Sequence, residues 1–356
     1  MEQSTEKKHH CQFTQNRNKA PVDPFYQIVM KSEKYSDRDF TPDATSMDWV
    51  DMKEDELVKY HNTKWQRAQD IFPGKSLFGG GITPDDINQG GLGDCWFLAA
   101  ISGIAEKPGR METAFLNKEN YLNEAGIYAF NFYSLGVPHT VVIDDYLPVR
   151  QLSNGHYKTL FAEIGDDNSL WGAMIEKAFA KYWGNYGHIV SGSSNIAMKT
   201  LIGSPFKTIK TDEKTVDWLW DWIHKYANTD HMLTAGSRGT SDDDKNEHGL
   251  VDNHAYTLLK SVQLSTGERL VQLRNPWGRD SFHGDWSDKS GKWNDSLAKE
   301  AGLKVDQEDG LIFMSIEDFK KMYDVLWGNV DPSYYHRTHF LRLNDDGKGA
   351  EVNEKG

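Results

Sequence analysis

Three glycines in four positions run into a nearly all-apolar segment in Gln89-Gly90-Gly91-Leu92-Gly93-Asp94-Cys95-Trp96-Phe97-Leu98-Ala99-Ala100, and a cysteine stands at the junction. This stretch constrains the chain most. Residues 96–104 have no polar face, so they read as a buried helix around which a core must be built. A thiol at the first turn of such a helix meets unpaired backbone N–H groups and the positive end of the helix dipole, which favour thiolate over thiol. Gly90, Gly91 and Gly93 read as a tight turn that brings backbone close to a substrate.

The chain has 356 residues, 38% of them hydrophobic, enough for two lobes with cores of their own. Its net charge of −13 argues against a nucleic-acid partner and leaves protein partners open. Only Cys11 and Cys95 occur, so there is no disulfide framework, and neither Cys-x-x-Cys nor His-Glu-x-x-His suggests zinc. The N-terminal residues lack the apolar heart of a signal peptide, and no run approaches the ~20 apolar residues of a membrane span. A cytoplasmic location is expected.

Residues 1–34 are polar and aperiodic and read as a disordered extension. Phe78-Gly79-Gly80-Gly81-Ile82 lacks the Gly-Lys-Ser/Thr of a phosphate cradle. Segments 127–132 and 140–143 read as a hairpin, and Leu170, Trp171, Met174, Ile175, Ala178, Phe179, Tyr182 and Trp183 recur at helical spacing. The small, polar Val190-Ser191-Gly192-Ser193-Ser194 reads as a hinge, dividing a first lobe, 35–191, from a second, 192–343, with a polar tail over 344–356. The acidic loop at 237–246 is not an EF-hand, because Glu247 stands where glycine is required.

In Gly249-Leu250-Val251-Asp252-Asn253-His254-Ala255-Tyr256 a histidine opens a strand, and Leu270-Val271-Gln272-Leu273-Arg274-Asn275-Pro276-Trp277-Gly278 forms the next. If these pair antiparallel about the turn Ser265-Thr266-Gly267, His254 lies opposite positions 275–278 and Asn275 sits beside it. Asn275 can then accept one imidazole N–H and direct the other nitrogen at a thiol.

The cysteine, histidine and asparagine segments resemble the motifs of the calpain family, in the family's order, and the likeness runs over about residues 35–343. The resemblance implies an α+β, papain-like cysteine proteinase fold: a helical first lobe, a β-rich second lobe and an active site in the cleft between them. It implies limited endoproteolysis of cytosolic proteins by Cys95 as nucleophile, His254 as base and Asn275 as its orienter. Gln89 would donate to the oxyanion beside the Cys95 N–H, and Trp277 would shield the His–Asn contact. Calcium ligands would be Gly79, Gly81 and Asp86 in one site and Asp288 and Asp309 in the other. Ser169, Ser281 and Leu311 stand where the family has acids, so weak calcium sites and a small calcium dependence are expected, with Asp166, Asp167 and Asp280 as substitute carboxylates and with packing or a partner able to align the lobes instead. Alternative functions are a catalytically silent protein-binding module and acyl transfer to amines.

Overall fold

The computed structural model describes residues 34–47, 63–134, 136–241, 244–279, 282–303, 309–330, 339–343 and 350–354. The extension expected up to residue 34, except Lys34 itself, most of the tail, and the positions Cys11, Asp280 and Ser281 lie outside the described residues.

Helix α1, Cys95–Ala105, is buried at every residue, as its all-round apolarity requires. Helix α2, Trp171–Trp183, stops at Gly184, whose φ of +110° suits glycine. Phe97 of α1 stacks on Phe179 of α2 with ring centroids 4.4 Å apart. Helix α3, Ser194–Ile202, follows the expected hinge, yet its Ala197, Met198, Leu201 and Ile202 join this same first core, which therefore extends past residue 191. Strands β1 (Lys64–Arg67), β4 (Tyr146–Gln151) and β5 (Tyr157–Thr159) make a small sheet beside it, and β2 (Ile127–Ser134) pairs antiparallel with β3 (Val137–Asp144) as the expected hairpin.

The second region is built on one antiparallel sheet in the order β10-β9-β8-β7-β11-β6: Leu311–Ser315, Arg269–Arg274, Ala255–Gln263, Met232–Ser237, Tyr323–Asn329 and Phe206–Lys210. Helices α4 (Val216–Ala227), α5 (Asp295–Ala301) and α6 (Ile316–Met322) accompany it. Leu219 and Ile223 of α4 and Phe319 of α6 cover its core with Leu258, Leu273 and Leu326. The protein is thus mixed α+β, with its longest buried helix in one lobe and its large sheet in the other.

Candidate active site

Cys95 is the first residue of α1 and is 8% exposed. The chain bends over residues 91–93 without any of Gly90, Gly91 and Gly93 taking a left-handed φ. What they supply is room: a side chain at Gly90 would strike the Phe161 carbonyl, and the Gly91 N–H donates to the Leu160 carbonyl at 2.9 Å. The loop is thereby laid flat against the 160–161 backbone. Trp96 Nε1 donates to the Ile189 carbonyl at 2.9 Å and fixes the helix against the neighbouring loop.

On the other side, β8 and β9 pair with Thr257 opposite Arg274, which carries His254 across to the Asn275–Trp277 corner. His254 Nε2 and Asn275 Oδ1 lie 2.9 Å apart. An amide oxygen only accepts, so Nε2 carries the hydrogen and Nδ1 carries the lone pair. Nδ1 is buried and has no hydrogen-bond partner among the described residues. Asn275 Oδ1 also accepts the Trp277 N–H at 3.0 Å, and the Trp277 ring lies 4.7 Å from the imidazole. Burial lowers the His254 pKa to about 4, opposed by the Asn275 hydrogen bond, so the ring is neutral at pH 7.

The backbone of His254 is pinned by Ser237, which sequence reasoning missed. Ser237 Oγ accepts the His254 N–H at 3.0 Å, while the Ser237 N–H donates to the His254 carbonyl at 2.9 Å. No local signal marks that serine, because its role comes from strand neighbours 17 residues apart.

Cys95 and His254 border one cavity of about 190 Å³, lined also by Trp96, Val190, Ala255 and Trp327. At Gly93 it meets a cleft of about 880 Å³ lined by Gln89, the glycine loop and Trp277. Gln89 bridges the lobes: its Oε1 accepts Trp277 Nε1–H at 2.8 Å, and its Nε2 donates to the Leu92 carbonyl at 2.6 Å. One of its two amide hydrogens stays available for an oxyanion.

The residues present do not fit calcium. The Gly79 carbonyl already accepts Asn120 Nδ2–H at 2.8 Å, and Asp86 Oδ2 accepts from Thr83 N at 2.8 Å and from Thr83 Oγ1 and Trp171 Nε1 at 3.0 Å each. Asp167 closes the glycine loop instead, its Oδ2 accepting from Gly80 N at 2.6 Å and its Oδ1 from Ser169 N at 2.9 Å. At the second set, Asp309 Oδ1 accepts the Leu311 N–H at 3.0 Å, and the Arg274 guanidinium donates to the Asp309 carbonyl at 3.3 Å, bringing a positive charge where a cation would be held. Calcium's affinity follows the number of charged oxygens offered to it, and in both sets several of those oxygens are already engaged by the protein's own donors.

The profile of the calpain family cysteine proteases matches residues 35–327. Calpain-8 of Rattus norvegicus is 34% identical over 273 residues, covering 74% of this chain and 38% of that protein. Calpain-14 of Homo sapiens is 34% identical over 268 residues, with the same 74% and 38% coverage. The calpain-type cysteine protease ADL1 of Oryza sativa subsp. japonica is 32% identical over 307 residues, 82% of this chain but 14% of that protein. The chain thus spans well under half the length of these relatives. Its α+β architecture is the papain-like core of that family, and the chain belongs to the calpain family of cysteine proteases.

Proposed function

We propose that this chain is a cysteine endopeptidase that cleaves protein substrates in a limited way through Cys95, His254 and Asn275. The observation that carries this reading is the 2.9 Å contact from His254 Nε2 to Asn275 Oδ1, with Nδ1 buried and unpartnered among the described residues and His254 lining a cavity shared with Cys95. His254 Nδ1 takes the thiol proton, and the thiolate attacks the peptide carbonyl carbon. The resulting oxyanion is held by the Cys95 backbone N–H and the remaining Gln89 amide hydrogen. The imidazolium then returns its proton to the departing amine, leaving a thioester that water hydrolyses by the same route. Cytosolic proteins are the proposed substrates.

Digestion of casein, followed with Cys95→Ala as control and with a primary amine added, tests the reading. Hydrolytic fragments from the wild type alone are expected. Amine-capped products would reassign the reaction to acyl transfer, and absence of any turnover would leave a binding module.

A further inference from the structure

The two lobes meet beside the triad through neutral hydrogen bonds: the Gln89 N–H donates to the Pro276 carbonyl at 3.1 Å, and Thr257 Oγ1 donates to the Ala99 carbonyl at 2.8 Å. Arg274 makes a contact of another kind. It ends β9, immediately before Asn275, and its side chain is 4% exposed. Its Nη1 donates to Asp85 Oδ1 at 2.8 Å, across 189 residues of chain. Asp85 sits in the single turn Pro84–Asp86 that feeds the Gln89–Cys95 loop.

A buried guanidinium requires a counter-charge, and removing one partner of such a pair leaves a charge stranded out of water. Arg274 Nε has no partner among the described residues, and the other Arg274 hydrogen bond is the longer one to the Asp309 carbonyl. Glu106, at the end of α1, also feels the Arg274 charge. Asp85 is therefore the carboxylate in direct contact with a cation that abuts Asn275, and it belongs to the opposite lobe.

We propose that the Asp85–Arg274 ion pair is a metal-independent strut that holds the Cys95 lobe in register with the His254–Asn275 lobe, which makes Asp85 a positioning residue. The activity arm of its test rests on the endopeptidase reading above; the exchange arm does not. Asp85 is 82% exposed, so its substitution leaves the core untouched.

The test compares Asp85→Ala, Asp85→Asn and Asp85→Glu in the full chain. Hydrogen exchange is followed by mass spectrometry over residues 84–93 and 270–279, and peptide hydrolysis is followed in chelator and in added calcium. The alanine and asparagine variants should exchange faster in both segments and lose about 10- to 100-fold in kcat with little change in KM, as small misplacements of reacting groups do. Glutamate should restore both readouts. Wild-type exchange in the alanine variant overturns the strut whether or not the protein hydrolyses peptides. Failure of glutamate to rescue overturns it, and so does recovery of the alanine variant on adding calcium.

Discussion

The two lobes treat charge in opposite ways. Three ion pairs around α1 and α2 are largely withdrawn from water: Lys177 pairs with Asp144, both fully buried, and also donates to the Tyr146 carbonyl at 2.7 Å, Arg67 pairs with Asp145 at 2.5 Å, and Lys181 pairs with Asp37 at 2.7 Å, while Lys158–Glu163 and Lys107–Asp230 stay at the surface. Around the large sheet each such pair among the described residues keeps an end in water, as in Arg269–Asp217, where the carboxylate is 84% exposed, and Arg274–Asp85. The difference follows position. The first lobe uses charges to lock β3 and the 34–47 segment onto α2, while the second places a neutral imidazole among Tyr256, Trp277 and Ser237. One lobe buries Cys95 at the head of α1 and the other keeps the His254 imidazole uncharged, which on the proposed reading are the nucleophile and the base.

The widest break in that comparison is catalytic. Cys95→Ala and His254→Ala should each lower kcat by at least about 10⁴-fold, because members of such a unit act together. Removing the imidazole takes no charge from the second lobe but leaves a cavity beside Trp277, so the histidine variant should remain folded with a lowered thermal midpoint. Retained turnover in either variant would remove it from the reaction.

That division also explains what the sequence could tell. The cysteine side is contiguous, and helix, thiol and glycine loop are all legible in a dozen residues. The His254–Asn275 contact was legible because one short turn lets register be counted. The glycine loop was legible, but its close approach to the Phe161 carbonyl was not, since that nearness is a tertiary fact. Lys177 and Glu176 fall between the apolar positions of α2, where helical periodicity expects solvent; both are buried because other elements cover that face too. The Asp167 closure and the Asp85–Arg274 strut had no signal at all, joining residues 87 and 189 positions apart.

Next in size is the buried lysine. Lys177→Met strands the Asp144 carboxylate in the first core and should cost about 3–5 kcal/mol, read from urea unfolding. Arg269→Met, the corresponding removal in the second lobe, should cost no more than about 1 kcal/mol because its partners are in water. Equal costs would erase the distinction. Gln89 spans the two lobes, and Gln89→Ala should lower kcat by about 10²–10³-fold with unfolding unchanged, as loss of one oxyanion donor does. A rate equal to wild type would assign the oxyanion to other groups.

The finest test is the pH dependence of stability. In the second lobe, His254 falls from 6.5 unfolded to about 4 folded because of burial, so between those values the unfolded state binds the extra proton and stability rises with pH. In the first lobe, Asp94 precedes Cys95, is fully buried, and faces the buried Glu176. Burial raises Asp94 from 3.8 to about 7 and Glu176 well above its usual value, with the Asp94 charge adding to the latter; Glu176 therefore holds the proton when Asp94 ionises. Here the folded state binds the extra proton, so stability falls as pH rises from about 4 to 7. The two slopes oppose each other, each bounded by about 1.4 kcal/mol per pH unit per proton. His254→Gln should steepen the loss of stability between pH 4.5 and 6.5, and Asp94→Asn should flatten it. Urea midpoints at those two pH values measure both. If the two variants shift the slope in the same direction, the opposite treatment of charge in the two lobes is wrong at the residues that matter most to the site.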